Sequence, residues 1–272
     1  EAHNTTQRNF FEATTIVAAQ STRKYFFTAT PKMSAKHERG MNNEDVYGNN
    51  LITVTADELL DCGAILPPTV NVHTVDTVRT REEVADIDAE TVLRVIQADD
   101  AERVLVSAPS ARIINAMMAF TDLFRELRSR DYNVMTITSK HGAIINGKKT
   151  SRTKFFNALD TFSNTGQKFV LFHYSILSEG INVHGLTNVV LLRNLSTVEM
   201  AQTIGRVIRL DSHDRQRVSD GTLKPRAYHN YRKPTGFISI PVYSNYGKNT
   251  AKRVQATVDT IFKKGRPATA WI

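Results

Sequence analysis

The sequence contains very little cysteine, with one residue, Cys62, in 272. A single cysteine excludes an intrachain disulfide and a cysteine-based zinc site, and it fits a reducing compartment. No apolar run approaches the roughly 20 residues that span a bilayer, and no signal peptide pattern is present. Internal repeats and low-complexity tracts are absent. The first residue is Glu1, not Met, which predicts a piece of a longer protein.

Charge of one sign is in excess. There are 35 Lys and Arg residues against 27 Asp and Glu, a formal net charge of +8, while 41% of the residues are hydrophobic. The composition is typical of a soluble globular protein. The positive balance favours an anionic partner such as nucleic acid, and a solvated basic face is an equally good interpretation of charge alone.

Hydrophobic patterning predicts an α/β fold after Pro67-Pro68, the clearest boundary in the chain. Short apolar strands alternate with amphipathic helices, which favours a parallel sheet covered on both faces. Before the boundary the pattern predicts a helix over 10–19, a helix over 56–62, and strands at 25–27 and 51–55. After it, we predict strands at 103–106, 134–137, 169–172, 189–192 and 237–242, and helices near 84–98, 110–130, 152–162, 196–210 and 251–264.

Three polar side chains recur along the predicted helix 196–210. Gln202, Arg206 and Arg209 are spaced i, i+4 and i+7, which places them within a sector of roughly 60°, while Ile204 and Ile208 lie opposite and can dock on the sheet. Two permanently charged guanidinium groups suit a triphosphate whose charge grows during hydrolysis. A solvated basic helix face is the alternative.

A second candidate is the segment 178–183, which follows the predicted strand 169–172. In open α/β sheets, ligands bind at the carboxyl ends of strands. Glu179, Gly180 and Asn182 could therefore contact a nucleotide there, and a plain turn is the alternative.

The segment Gly142–Lys148 matches the start of a phosphate-binding P-loop. The full pattern requires a hydroxyl residue directly after the lysine to hold Mg²⁺. Lys149 stands at that place and Thr150 comes one position late. We therefore predict a surface connection at 142–150 and no phosphate cradle.

Taken in order, five motifs resemble the later half of a superfamily-2 helicase or translocase of the phage or restriction type. Glu1-Ala2-His3 is similar to the end of a DEAH box, and Thr28-Ala29-Thr30 to motif III. Leu105–Ser110 resembles motif IV, Ser178–Asn182 motif V, and Gln202–Arg209 fits the motif VI pattern QxxGRxxR. The resemblance implies a RecA-like parallel sheet with helices on both faces (67–272), preceded by the tail of a first RecA-like domain (1–66).

The resemblance also implies roles on the ATP side. Glu1 would be the general base that orients water, and Gln202 would help to sense the γ-phosphate. Arg206 and Arg209 would reach the phosphates, with Arg209 as the arginine finger. Glu179, Gly180 and Asn182 would lie near the nucleotide, although many relatives carry Asp where Asn182 stands.

On the nucleic-acid side, His3 with Thr28 and Thr30 would couple ATP to nucleic-acid binding. Ser107 and Ser110 would contact the nucleic-acid backbone, which gives affinity without sequence choice. Tyr174 stands where relatives of the DEAD-box group carry a Thr against the nucleic acid, so we do not assign that nucleic-acid contact to Tyr174. The basic stretch Lys224–Lys233 is a further candidate for nucleic-acid contact, with a solvated loop as the alternative.

The expected function is therefore that of the C-terminal part of an ATP-dependent helicase or translocase inside the cell. Its cofactors would be ATP and Mg²⁺, its partner nucleic acid (DNA rather than RNA), and no membrane is involved. The P-loop and the metal site would lie mostly upstream, so the 272 residues alone should not hydrolyse ATP. The alternative is a non-catalytic nucleic-acid-binding module with the same fold.

Overall fold

The computed structural model describes residues 2–20, 23–36, 38–174, 183 and 185–272. A short 3₁₀ helix, Ala2–Thr6, opens the described chain. The strands are β1 (Lys32–Met33), β2 (Pro68–Val75), β3 (Arg103–Ser107), β4 (Asn133–Thr138), β5 (Gly142–Ile145), β6 (Lys148–Thr150), β7 (Phe169–His173), β8 (Asn188–Leu191), β9 (Gly236–Tyr243) and β10 (Ala270–Trp271). The α-helices are α1 (Arg8–Gln20), α2 (Glu44–Tyr47), α3 (Ala56–Asp61), α4 (Val84–Ala98), α5 (Ala111–Phe120), α6 (Leu123–Ser129), α7 (Arg152–Thr165), α8 (Thr197–Val207), α9 (Ser212–Ser219) and α10 (Lys248–Val258), the last continued by a π-helical turn, Asp259–Lys263.

One large sheet organises the described part of the chain. Its strand order is β2-β9-β8-β3-β7-β4-β5-β6, and the strands from β2 to β4 in that order all pair in parallel. Helices α7, α8 and α10 pack on one face, and α4, α5 and α6 pack on the other. Both faces are covered, so the central strands β3, β7 and β8 are buried along their whole length. The predicted α/β class and the helices on both faces are confirmed.

The first 66 residues contribute no strand to this sheet in the part that is described. Their strand β1 pairs instead with β10. The predicted strands at 25–27 and 51–55 are wrong, because both stretches lack regular structure and Phe27 and Leu51 are largely exposed. Phe26 packs edge-on against Tyr47, so the aromatic run serves local packing.

The amphipathic stripe predicted as one helix over 110–130 forms two helices. Ser110 caps the first by accepting a hydrogen bond from the Ile113 amide at 3.2 Å. The break falls at 121–122, where the Thr121 hydroxyl donates back to the Met117 carbonyl at 2.6 Å. A hydroxyl that bonds to the preceding turn competes with the helix ladder, which ends α5 there.

In the described residues, no helix is both long enough and apolar enough to cross a membrane.

Candidate functional site

Helix α8 carries the strongest motif of the sequence. The predicted capping box at its start is confirmed: the Ser196 hydroxyl accepts from the Glu199 amide at 3.2 Å, and the Glu199 carboxylate accepts from the Ser196 amide at 2.9 Å. Glu199 also accepts from Arg193 at 3.0 Å, and the Arg193 guanidinium lies 5.0 Å from the centre of the Tyr174 ring. This network fixes the start of α8 at the carboxyl ends of β7 and β8.

The end of α8 differs from the prediction. The helix stops at Val207, and Arg209 lies beyond it. Arg206 is 6% exposed and Arg209 is partly buried, so Gln202, Arg206 and Arg209 do not form one exposed line along a helix. Only the first two of these residues share the helical face that the spacing predicts.

Residues from outside the helix stop it at this point. The Lys233 ammonium group donates hydrogen bonds to the carbonyl oxygens of Val207 and Arg209, and the Leu66 amide donates to the Ile208 carbonyl at 2.8 Å. Carbonyls at a helix end need such donors. A Cβ on Gly236 would lie 2.4 Å from the Val207 carbonyl oxygen, so only glycine allows this close approach.

Lys233 sits in a buried charged cluster that the sequence interpretation missed. Its side chain is 3% exposed, so it does not belong to a basic surface stretch. Burial lowers the pKa of Lys233 to about 7, the nearby Arg103 charge adds to this shift, and Asp211 and Asp214 oppose it. Arg103 and Asp211 form an ion pair at 3.4 Å, and the Lys233 amide donates to Asp214 at 3.1 Å. The two carbonyl acceptors of the Lys233 ammonium group lie 24 and 26 residues away in the chain, so no local sequence pattern predicts these contacts.

Arg209 lies where the two predicted parts of the chain meet. It forms a β-bridge with Ile65, next to the Pro67-Pro68 boundary. Burial lowers the pKa of the Arg209 guanidinium from its ordinary value, and the like charge of Arg215 adds to that shift.

The carboxyl ends of β3 and β7 hold two buried polar side chains. Ser107 and His173 are register partners, and neither the Ser107 hydroxyl nor either His173 ring nitrogen has a hydrogen-bond partner among the described residues. Burial lowers the pKa of His173 to about 3, and the charges of Arg193 and Arg206 act in the same direction. Ser107 is wholly buried, and its predicted contact with the nucleic-acid backbone stays a prediction.

Gln202 and Gly205 lie on the open side of α8, where both are partly exposed. A Cβ built on Gly205 would meet no described atom within 4 Å, although glycine inside a helix costs about 1 kcal/mol relative to alanine. The helix therefore presents an unobstructed surface beside Gln202.

His3, Thr28 and Thr30, which the sequence predicts to act together, lie together in the structure. The His3 Nδ1 atom is 3.0 Å from the Thr28 hydroxyl and 3.3 Å from the Thr30 hydroxyl. His3 and Thr30 are buried. The cluster links the start of the chain to residues 28–30, and its coupling role stays a prediction.

Some predicted residues lie outside the described part of the chain: Glu1, Glu179, Gly180 and Asn182. Ser110 is described, and its hydroxyl oxygen caps α5. The described residues contain no group of three or more His, Cys, Asp or Glu side chains placed to hold a metal ion, so we assign no step to Mg²⁺ in this chain.

The family resemblance rests on the part of the chain that runs from within α4 to the residue before α9. Residues 88–211 match the helicase conserved C-terminal domain. This helicase segment contains β3, β7, β8, the whole of α8 with Arg206, and Arg209 just beyond the end of α8. The match confirms the resemblance to superfamily-2 helicases, and the large sheet is the RecA-like fold of such C-terminal domains. None of the curated proteins compared with the chain matches it in sequence.

Solved structures resemble the chain at low sequence identity. An ATP-dependent Type ISP restriction-modification enzyme, LlaBIII, bound to DNA, is 16% identical with a TM-score of 0.55, and the match covers 90% of this chain and 19% of that one. The S. cerevisiae protein Dbp5 bound to RNA and ADP BeF3 is 11% identical with a TM-score of 0.44, covering 85% of this chain and 46% of that one. The chain thus spans about a fifth of the restriction enzyme and under half of Dbp5.

Proposed function

We propose that this chain is the C-terminal part of an ATP-dependent nucleic-acid helicase or translocase that acts on DNA. Residues 1–66 are the end of a first RecA-like domain, and residues 67–272 are the second. The observation that supports this most is the position of Arg209, which follows α8 inside the helicase segment and bridges to Ile65 at the junction of the two parts.

The nucleotide side of the proposal rests on Arg206, Arg209 and Gln202. When bound, ATP supplies the phosphoryl group that water attacks. Arg209 stabilises the charge that develops on the phosphates, as an arginine finger does. Arg206 extends from the same helix end and Gln202 lies one helical turn before it, on the open side next to Gly205. The Lys233 and Leu66 contacts hold the main chain of this segment in place.

The nucleic-acid side rests on the net charge of +8 and on the cluster of His3, Thr28 and Thr30. His3 binds both Thr28 and Thr30, so a shift of the 28–30 loop is transmitted to the start of the chain. The DNA-bound restriction enzyme that shares the fold supports DNA as the polymer. Closing and reopening of the two RecA-like parts would move the chain along a strand.

The test uses the complete gene product that contains this chain. Arg209→Ala should lower DNA-stimulated ATP turnover by about 10³-fold or more, as loss of an arginine finger does, with DNA affinity nearly unchanged. Arg130→Ala is the matched control, because Arg130 is exposed directly after α6, which packs on the opposite face of the sheet. Unchanged turnover in Arg209→Ala would remove the arginine-finger role, and absence of any DNA-stimulated ATPase would favour the non-catalytic module.

A further inference from the structure

A stretch of strongly one-signed charge lies outside the site described above. Residues 132–159 contain no Asp or Glu and five Lys or Arg residues, so these 28 residues hold more than half of the net charge of +8. All five cations are exposed and none forms an ion pair with a described residue. They are Lys140, Lys148, Lys149, Arg152 and Lys154. Such a patch attracts the phosphates of a nucleic acid.

The centre of this stretch is a rigid β-hairpin, which replaces the P-loop-like pattern. Asn146 and Gly147 have φ values of 48° and 80°, the two positive values of a type I′ turn. The Asn146 side chain accepts from the Val134 amide at 2.8 Å and from Arg128 at 3.2 Å. The hairpin is therefore fixed to β4 and to α6 and holds its lysines in a defined place.

A cavity of about 270 Å³ opens between this hairpin and the helices α5 and α6. Val134, Thr136 and Ile144 of the sheet, Met118 of α5 and Phe124 of α6 line it. The apolar lining and the modest volume suit a small flat group, since pockets for drug-sized ligands measure about 300–1,000 Å³.

The polar groups of the cavity are few and available. Asn115, Thr136 and His141 line it, and no side-chain hydrogen bond joins them to the described residues. Donor and acceptor atoms set among apolar walls are what a heterocyclic base requires for its edge.

The sheet register places Lys149 on the face of the sheet that carries the cavity and its neighbour Lys148 on the other face. Thr136 pairs with Ile144, and Ile144 pairs with Lys149, so these three side chains point to the cavity face. Lys148 pairs with Ile145, whose side chain belongs to the core under α7. Adjacent residues of equal charge therefore lie on opposite faces.

We propose that this cavity binds one unstacked base of a single-stranded nucleic acid while Lys149 and Lys140 bind the flanking phosphates. The proposal deepens the proposed function and rests on it only for the identity of the polymer. It adds a base-binding site beside the hairpin, apart from α8 and from the ends of β3 and β7. A base held there prevents the strand from slipping while the two RecA-like parts reopen.

The experiment measures binding of the 272-residue chain to a fluorescein-labelled 20-nucleotide DNA strand by anisotropy, beside a strand of equal length made of abasic sites. The intact strand should bind about 5- to 100-fold more tightly, the range expected when a base stacks in a protein site. Ala119→Phe, at an exposed position that lines the cavity, should fill it and remove this difference without weakening binding of the abasic strand. Asn115→Ala should reduce the difference without filling the cavity.

The matched charge variants are Lys149→Glu and Lys148→Glu, which change the net charge equally. Lys149→Glu should weaken binding of the intact strand at least fivefold more than Lys148→Glu does. Equal binding of intact and abasic strands, or equal losses in the two lysine variants, would overturn the base-binding site and leave the helicase proposal standing. Binding of neither strand would also overturn the base-binding site, whereas the helicase proposal is decided separately by ATP turnover of the complete gene product. Preferential binding of an acidic peptide at the cavity would replace the nucleic acid by a protein partner.

Discussion

The buried ammonium group of Lys233 donates a hydrogen bond to the main-chain carbonyl of Arg209. A residue with no place in any motif thus holds the main chain of the residue proposed as the arginine finger. The second acceptor of the same group is the Val207 carbonyl at the end of α8. The geometry of the candidate site depends on a lysine from the connection that precedes β9.

Lys233 should make stability depend on pH in a predictable direction. Its pKa in the folded state is about 7, below the ordinary value near 10.5 of the unfolded chain. Between these values the unfolded state binds the proton and the folded state does not, so stability rises with pH from about 7 to 10.5. The free energy of unfolding of the wild type minus that of Lys233→Met, from urea denaturation at pH 7, 8 and 9, should increase by up to about 1.4 kcal/mol per pH unit. The same difference in the free energy of unfolding, measured for Lys154→Met at an exposed position, should not change with pH.

His173 should make the fold sensitive to acid. Its folded-state pKa is lowered from 6.5 to about 3, so the unfolded state takes up the proton first as pH falls and stability is lost between about pH 6.5 and 3. His173→Phe removes this loss, and because both ring nitrogens lack partners, the exchange should cost little at pH 7. Thermal unfolding at pH 7 and pH 5 measures the effect, with exposed His229→Phe as the control. A variant with the same acid sensitivity as the wild type would contradict this assignment.

Arg206, inside α8, and Arg209, beyond its end, should differ in what they contribute to stability. Arg206 is 6% exposed, so Arg206→Ala removes a packed buried stem as well as a charge and should cost about 2 kcal/mol or more. Arg209→Ala, at a partly buried position, should cost less than half as much. Urea denaturation at pH 7 gives both values, and equal losses would mean that the two side chains are equally embedded.

The pair of Arg79 and Asp88 should be the costliest ion pair to break. Arg79 donates to both carboxylate oxygens of Asp88, at 2.6 and 2.5 Å, and Asp88 is fully buried. Loss of one partner leaves a buried charge, which costs about 3–5 kcal/mol. Asp88→Ala should lower the free energy of unfolding by that amount, whereas Asp122→Ala, in the exposed pair with Arg125, should cost at most about 1 kcal/mol. Similar losses of unfolding free energy in Asp88→Ala and Asp122→Ala would show that burial does not determine the cost of breaking an ion pair.

The predictions from sequence succeeded where the residues of a single helix or strand are enough to predict it. Helix 84–98 is found at the predicted bounds, because apolar spacing alone determines which side faces the sheet. The same reasoning failed at 25–27, where an aromatic run has no strand beside it, and at the end of α8, where the stop comes from Lys233. The spacing of Gln202, Arg206 and Arg209 pointed to the candidate site. It did not predict the contacts that hold the end of α8, because those contacts join residues far apart in the chain.

The hairpin that carries Lys148 and Lys149 also forms one margin of the large sheet, because β6 is its last strand. An uncovered margin offers unpaired amide and carbonyl groups to a second copy, and lysines on such a strand oppose that contact by repulsion and hydration. The two residues therefore protect the protein against self-association. Replacing both with apolar side chains should convert a monodisperse solution into aggregates, which light scattering at rising concentration would detect.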